Sequence, residues 1–204
     1  MNRPVIAVVD HGAGNLVSIG RALERSGAEV RIATSGGDLH GSDGIVLPGV
    51  GATATVMDGI RAGGFETVLQ EWTRPLLGIC VGMQVLFETS TEDEAECLGL
   101  LRGASHQLVD APTLPHIGWN EIDTVADPLF DGLGDRPEVY FVHSYAPVPV
   151  SEDVVIARSS HGGSFVAAVR RGNVAGTQFH PERSGSAGLT ILGNFVVSTV
   201  GART

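Results

Sequence analysis

The chain has 204 residues, of which 43% are hydrophobic and 28 are glycine, and a formal net charge of −10 at pH 7. This composition excludes a disordered chain, and the length suits one domain over residues 1–204. The acidic balance argues against nucleic-acid or anionic-membrane binding as the main task. The basic residues are all arginines, which excludes a Schiff-base lysine and the lysine of a phosphate-binding loop.

The two cysteines, Cys80 and Cys97, are too few for a disulfide scaffold, so a reducing cytoplasm is the expected compartment. No apolar run approaches the roughly 20 residues of a membrane span. The run Val5–Val9 is too short for a signal peptide and is predicted to be the first core strand.

The amino-terminal half alternates short apolar runs with helically spaced ones, which indicates a parallel sheet covered by helices. Glycines mark the turns, and Gly63-Gly64 predicts a break within the second helical stretch. The predicted elements are a strand at Val5–Asp10, a helix from Leu16 to Gly27, strands at Val30–Ala33 and Gly44–Leu47, and helical spacing over residues 54–73.

Cys80 lies between an apolar strand ending near Leu77 and an apolar stretch that predicts the opening of a buried helix. With Gly78 and Gly82 on either side, this is the pattern of a nucleophile elbow. A helix N-terminus at that point would favour the thiolate. On this stretch alone, a buried structural cysteine is an equally good interpretation.

The third strand ends in a glycine-rich stretch, Pro48–Thr53, whose N–H groups can face an anion or a developing oxyanion. Taken alone, a tight turn is the simpler interpretation. The acidic stretch Thr89–Glu96 predicts a solvated surface loop, and Cys97, which lacks an elbow, is assigned no chemistry.

From about residue 105 the pattern changes to β-branched and aromatic runs that proline, glycine and aspartate interrupt, which favours antiparallel strands. No linker separates a second domain, and an apolar helix is predicted to close the fold at Gly188–Val200. The predicted strands are Ile117–Val125, Val139–Val148, Val154–Arg158, Phe165–Arg170 and Val174–Phe179.

His180 and Glu182 stand two residues apart around Pro181, which favours an extended path with both side chains on one face. The pair can supply a general base and the carboxylate that orients it, with Cys80 as nucleophile. By itself, a surface or structural pair explains the motif more simply. A zinc site fits less well, because neither Cys-x-x-Cys nor His-Glu-x-x-His occurs.

The elbow Gly78–Gln84 and the distant His180-Pro181-Glu182 together resemble class I, triad-type glutamine amidotransferases. The resemblance covers nearly the whole chain and implies an α/β, flavodoxin-like fold with a mostly parallel central sheet and antiparallel strands in the carboxyl-terminal half. Four further stretches resemble the glutaminase subunits of imidazole glycerol phosphate synthase: Asp10–Asn15, Pro48–Gly51, Pro115–Asn120 and Tyr140–Tyr145.

This resemblance implies that Cys80 attacks glutamine to form a thioester, with His180 as the base and Glu182 orienting it. It places the oxyanion at the N–H groups of Val81 and of Val50 or Gly51. It requires no cofactor or metal. The residues that it implies for holding glutamine are Gly49, Gln84, His143, Ser144 and Tyr145.

The resemblance also implies a partner, the (β/α)₈-barrel cyclase HisF, in a heterodimer. The cyclase would use the ammonia to make imidazole glycerol phosphate and aminoimidazole carboxamide ribotide in histidine biosynthesis. Partner binding would activate the glutaminase through Gly49–Gly51. Trp119 and Asn120 are predicted for the partner face, although Trp119 also fits a place in the core.

The chain departs from the family pattern at His11, Thr53 and Arg183, where Tyr, Phe and Lys are usual, and none of these changes removes a reacting group. Three alternatives stay open. They are the glutaminase of another amidotransferase, such as anthranilate synthase or pyridoxal phosphate synthase, a free-standing hydrolase of similar fold, and a non-catalytic binding module.

Overall fold

The computed structural model describes residues 3–200, so both ends of the predicted domain lie outside the described residues. The helices are α1 (Leu16–Arg25), α2 (Thr53–Ala62), α3 (Glu66–Gln70), α4 (Val81–Gln84) and α5 (Gly185–Val200). The strands are β1 (Val5–Val9), β2 (Glu29–Ala33), β3 (Gly44–Leu47), β4 (Leu76–Ile79), β5 (Thr89–Ser90), β6 (Ala95–Glu96), β7 (Gly103–Gln107), β8 (His116–Glu121), β9 (Asp123–Thr124), β10 (Glu138–His143), β11 (Tyr145–Pro149), β12 (Val155–His161), β13 (Gly163–Arg171) and β14 (Val174–Thr177).

The central sheet has eight strands in the order β2-β1-β3-β4-β14-β13-β12-β9. The first five run parallel to one another, and the last three join by antiparallel pairing. Strands β3 and β4 are buried along their whole length, as expected for the middle of a covered parallel sheet. The predicted mixed, mostly parallel α/β architecture is confirmed.

Local sequence explains where the amino-terminal helices begin and end. The Asn15 side chain accepts a hydrogen bond from the N–H of Ser18 and so caps α1, which buries Ile19 and Leu23 on one side. Helix α2 ends at Ala62, and Gly64, with a φ of 67°, turns the chain before α3 begins. The predicted break in this helical stretch is therefore confirmed.

The prediction of antiparallel strands from about residue 105 describes only one side of β14. This strand pairs antiparallel with β13 on one side and parallel with β4 on the other. Residue pattern marks a strand but does not name its neighbours, because both kinds of pairing bury the same apolar side chains. The parallel pair matters for function, since it sets the chain that follows β14 beside the elbow that follows β4.

Two predicted long strands are each divided in the structure. The stretch Ile117–Val125 becomes β8 and β9, separated by the buried Ile122, and Val139–Val148 becomes β10 and β11, separated at Ser144. In each case the two parts belong to different sheets. Strand β8 pairs with β10, whereas β9 pairs with β12 and β11 pairs with β7. Ile122 is buried and Ser144 is half-buried, and β-branched or aromatic residues stand on both sides of each break, so the residue pattern did not reveal the breaks. Strand β7 was not predicted at all.

The acidic stretch at residues 89–96 is also more ordered than predicted, since it forms the short antiparallel pair β5 and β6. Ser90 is 2% exposed, whereas the prediction was a solvated loop. Helix α5 begins at Gly185, three residues before the predicted start, and packs against α1. Among the described residues, no helix is long and apolar enough to cross a membrane.

Candidate active site

Cys80 occupies a sharp turn between β4 and α4, with φ 56° and ψ −113°. The neighbouring glycines are required by close packing of the backbone. A Cβ on Gly78 would lie 2.4 Å from the carbonyl oxygen of Gly82, and one on Gly82 would lie 1.9 Å from that of Leu47. The chain therefore forms the strained strand-to-helix turn that the sequence predicted, with the cysteine at its apex.

The helix after the elbow is much shorter than predicted. Helix α4 ends at Gln84, and Val85, Leu86 and Phe87 continue as buried turn. A single helical turn aligns few peptide dipoles, so it has only a small macrodipole to offer a thiolate. Stabilisation of a thiolate at Cys80 must therefore come from other groups around the sulfur.

His180 and Glu182 contact each other, but their backbone differs from the prediction. Nδ1 of His180 lies 2.9 Å from Oε1 of Glu182, and the two side chains are 6% and 1% exposed. The predicted extended path is wrong, because Pro181–Arg183 form a 3₁₀ turn. Proline at the first position of a helical turn needs no donor, so Pro181 begins this turn and the turn still brings Glu182 back to the imidazole.

The electrostatics of His180 are set by burial and by two neighbouring side chains, Cys80 and Glu182. Burial by itself would lower the pKa of His180, but the sulfur of Cys80 and the carboxylate of Glu182 outweigh it and raise the pKa to about 10. Nε2 of His180 is buried and has no hydrogen-bond partner of regular geometry among the described residues. The imidazole is therefore held at Nδ1, while Nε2 remains available for proton transfer on the Cys80 side.

A cavity of about 330 Å³ opens beside Cys80 and His180. Its size is at the lower end of the range for small-molecule sites. Gly49 and Glu182 are the two predicted site residues that do not line it. The cavity is lined by Val50, Gly51, Cys80, Val81, Gln84, Glu92, Pro115, Val142, His143, Ser144, Tyr145 and His180.

The glycine-rich strand end supplies backbone donors to this cavity. Among residues 3–200, the N–H groups of Val50 and Gly51 have no hydrogen-bond acceptor, and Gly51 has a φ of 86°. Gly49 lies behind them, where a Cβ would approach the backbone nitrogen of Gly82 to 2.6 Å. Close packing therefore requires glycine at position 49, and backbone conformation requires it at position 51.

The opposite side of the cavity is built by Gln84 and the stretch from His143 to Tyr145. Nε2 of Gln84 donates to the carbonyl of Tyr145 at 2.8 Å, and Nδ1 of His143 contacts the same carbonyl at 2.9 Å. Burial lowers the pKa of His143 to about 3 despite its contact with the Tyr145 carbonyl, so the imidazole is neutral. The neutral ring must donate from Nδ1 to the Tyr145 carbonyl, and this hydrogen bond holds the backbone from His143 to Tyr145 in place along the cavity.

Sequence reasoning missed two polar side chains at this site. Gln178 is fully buried, and its Nε2 lies 3.6 Å from Sγ of Cys80. Glu92, from the predicted solvated loop, lines the cavity and accepts hydrogen bonds from the N–H and hydroxyl of Thr53 at 2.9 Å each. Gln178 stands in the same stretch as His180, but nothing in the sequence indicates which way it points. Glu92 gave no signal among its acidic neighbours.

Each departure from the family pattern has a local partner. His11 is buried and its Nε2 lies 2.7 Å from the Pro48 carbonyl, and the Thr53 hydroxyl binds Glu92. The guanidinium of Arg183 lies over the ring of Tyr140, 4.2 Å from its centroid. None of the three disturbs the Cys80 turn.

Comparison with known proteins agrees with this geometry. Residues 7–199 match the family described as "Glutamine amidotransferase class-I". The subunit HisH of imidazole glycerol phosphate synthase from Xanthomonas oryzae is 46% identical over 194 residues, covering 94% of this chain and 96% of the relative. HisH from Dehalococcoides mccartyi is 39% identical over 202 residues, covering 97% and 98%. The chain belongs to the class-I glutamine amidotransferases, and among them to the HisH family.

Solved structures support the fold of this family. PurLQS from Thermotoga maritima aligns with a TM-score of 0.77 at 22% identity, covering 98% of this chain and all of that one. A structure described as a glutamine amidotransferase aligns equally well, with a TM-score of 0.77 at 22% identity over 96% of this chain and 98% of the other. The chain thus has the class I glutamine amidotransferase fold. The family match and the HisH relatives show that it is a glutamine amidotransferase enzyme.

Proposed function

We propose that Cys80, His180 and Glu182 form the catalytic triad of a glutaminase that serves imidazole glycerol phosphate synthase. The observation that carries this proposal is the arrangement of His180, whose Nδ1 lies 2.9 Å from Oε1 of Glu182 and whose buried Nε2 has no other partner of regular geometry among residues 3–200 and interacts with Cys80. A base that is oriented at one nitrogen and faces the nucleophile with the other is what a nucleophile–base pair requires.

In the proposed reaction, the Cys80 thiolate attacks the side-chain amide carbon of glutamine. The oxyanion is stabilised by the N–H groups of Val50 or Gly51 and of Val81, each worth roughly 2.7–4 kcal/mol in the transition state. The protonated His180 gives its proton to the departing ammonia, which leaves a γ-glutamyl thioester. His180 then takes a proton from water as the water attacks the thioester. Collapse of this second intermediate releases glutamic acid, which loses its proton to solvent, and returns the Cys80 thiolate beside the protonated His180.

The bound glutamine would lie along the side of the cavity that Gln84 and the stretch from His143 to Tyr145 build. The Gln84 side chain gives both of its identified hydrogen bonds through its nitrogen, so its oxygen is left to accept from the substrate ammonium. Ser144 and Tyr145 line the same side and can meet the carboxylate. Gly49 supports this site from behind by its close approach to Gly82.

We further propose that the chain is one domain that works in the cytoplasm as a heterodimer with the (β/α)₈ cyclase HisF, to which it passes ammonia. Two exposed side chains on β8 support a docking face, since Ile117 is 60% and Trp119 is 55% exposed. Because Trp119 is exposed, the alternative prediction that it lies in the core is wrong. Asn120, the other predicted contact, uses its side chain to bind the Ser160 carbonyl at 2.7 Å.

The deciding experiment is a glutaminase assay of the wild-type chain and Cys80→Ala, each alone and with a HisF cyclase and its nucleotide ligand. We expect glutamine hydrolysis that depends on the cyclase and is lost in Cys80→Ala. Full activity without a partner would instead favour a free-standing hydrolase, and activity that survives in Cys80→Ala would refute the triad. Activation only by another synthase subunit would assign the chain to that enzyme.

A further inference from the structure

The side chain of Gln178 has a position at the nucleophile that the proposed triad does not use. It lies between the end of β14 and His180, it is fully buried, and its Nε2 is 3.6 Å from Sγ of Cys80. Its Oε1 is 3.1 Å from Nε2 of Gln84. A buried primary amide that spans two site residues is constrained at both ends.

The direction of the Gln178 amide follows from the hydrogen bonds of its neighbours. The carbonyl of Tyr145 can only accept, so the Gln84 atom that lies 2.8 Å from it must be the nitrogen. The second hydrogen of that nitrogen faces Gln178, which must therefore present its oxygen there. Gln178 is left with its N–H₂ group directed at the sulfur of Cys80.

The surroundings of Sγ make this donor important. Cys80 is only 3% exposed, so a thiolate there receives little help from water, and α4 provides only one helical turn. A protonated thiol can donate to the carbonyl of Val142, which is 3.7 Å from Sγ, but a thiolate cannot use that acceptor. The Gln178 amide has the opposite preference, because an N–H donor binds an anion more strongly than a neutral sulfur.

We propose that Gln178 is a further catalytic residue, which stabilises the Cys80 thiolate by direct hydrogen bonding and is held in that direction by Gln84 and the Tyr145 carbonyl. This inference rests on the proposed function of Cys80 as nucleophile. It also gives Gln84 a second task, since the side chain that faces the substrate then orients the donor to the nucleophile. Substrate site and nucleophile are joined in one hydrogen-bonded chain.

The test is the pH dependence of iodoacetamide alkylation of Cys80 in the free chain, without glutamine or cyclase. A Cys97→Ser background leaves Cys80 as the only thiol. In that background Gln178→Met keeps the length and volume of the side chain and removes the donor. We expect the alkylation midpoint to rise by about one pH unit, which is about a tenfold decrease in the acid dissociation constant of the thiol. The matched control is Gln70→Met, whose amide binds the Leu98 carbonyl outside the cavity, and it should leave the midpoint unchanged.

A second variant keeps the result decisive if Gln178→Met fails to fold. Gln178→Glu can still accept from Gln84 but places a carboxylate oxygen at the sulfur, so the midpoint should rise further than in Gln178→Met. Other ionisable groups around Cys80 stay the same in every variant: His180, Glu182, His143, Tyr145 and Glu92.

Unchanged midpoints in folded variants would overturn the role of Gln178 while leaving glutaminase activity as evidence for the triad. In the cyclase-stimulated assay, Gln178→Met should lower kcat with little change in KM, whereas a purely structural role would leave the alkylation midpoint where it is in the wild type. If the chain instead showed no glutaminase activity, the alkylation profile would still report on Gln178 separately.

Discussion

The two cysteines of this chain lie 17 residues apart and differ in almost every property that controls a thiol. Cys80 sits on a strained turn at 3% exposure, with the amide of Gln178 at 3.6 Å and a cationic imidazole beside it. Cys97 is half-buried after β6, and its thiol donates to the Ala95 carbonyl at 3.7 Å. Burial raises the pKa of Cys97 to about 11, although Arg61 partly opposes this.

This difference shows that burial alone does not make a cysteine inert or reactive. Both thiols are shielded from water, and shielding by itself disfavours the anion. What distinguishes Cys80 is a pair of groups beside its sulfur, the Gln178 amide and the His180 imidazole, which the stretch after β14 supplies. A carbonyl acceptor does not separate the two thiols, because Cys80 has the Val142 carbonyl and Cys97 has the Ala95 carbonyl, each at 3.7 Å.

The largest expected difference between the two cysteines is in the glutaminase activity that remains when each is replaced by alanine. Replacing Cys80 by Ala should reduce cyclase-stimulated glutaminase kcat by more than about a thousandfold, because the nucleophile is lost. The matched variant Cys97→Ala should stay near the wild-type rate. Both rates are measured by glutamate release. A large loss of activity in a normally folded Cys97→Ala variant would contradict the assignment of no catalytic role to Cys97.

The next largest expected effect is the loss of kcat when His180, the proposed base, loses its carboxylate partner. Glu182→Gln should lower kcat by about 100- to 10,000-fold, because His180 loses the carboxylate that orients it and stabilises its cation. Glu152→Gln, which removes an exposed partner of Arg158, is the control and should not change the rate.

The same variant has a signature in stability. His180 has an unfolded pKa near 6.5 and a folded pKa of about 10, so its proton stabilises the folded chain below about pH 6.5. That contribution should be lost as the pH rises through about 10. Urea unfolding across this range should show stability falling with pH, and Glu182→Gln should flatten the slope. An equal slope in both proteins would contradict the assigned coupling.

A smaller difference between the regions around Cys80 and Cys97 is expected in the stability cost of replacing a nearby glycine by alanine. Gly82→Ala places a Cβ 1.9 Å from the Leu47 carbonyl oxygen and should cost about 3 kcal/mol or more. Gly99, near Cys97, has a φ of 66° but nothing within 4 Å of an added Cβ. Gly99→Ala should therefore cost only about 1–2 kcal/mol, from the left-handed backbone. Thermal or urea unfolding compares the two, and equal losses would show that close packing at the elbow is relieved by movement.

The smallest expected effect is at Cys97 itself. Because its pKa is about 11, iodoacetamide at neutral pH should modify Cys80 and leave Cys97 almost unmodified. Peptide mass spectrometry after a short alkylation measures both sites in one sample. Faster labelling of Cys97 than of Cys80 would reverse the assignment of the reactive thiol.

Much of the fold could be predicted, because glycines and capping residues mark the ends of the strands and helices in the first half of the chain. The break at Gly63-Gly64 is an example, since its effect on the helix is local. The partners of β14 and the division of the strand at Ser144 could not be predicted, because they depend on contacts between segments far apart in sequence. That the whole of residues 1–204 forms one domain stays a prediction.

At the site, short motifs in the sequence were enough to predict the elbow and the three groups that are proposed to react. Cys80, His180 and Glu182 are specified by short motifs, and Gly78 and Gly82 are specified by the tight turn between them. The surroundings of the site depend on the tertiary structure, because Gln178, which follows β14, contacts the Cys80 sulfur, and Glu92, which lies between β5 and β6, lines the cavity. A side chain's direction depends on the packing of its whole segment, and no motif of a few residues contains that information.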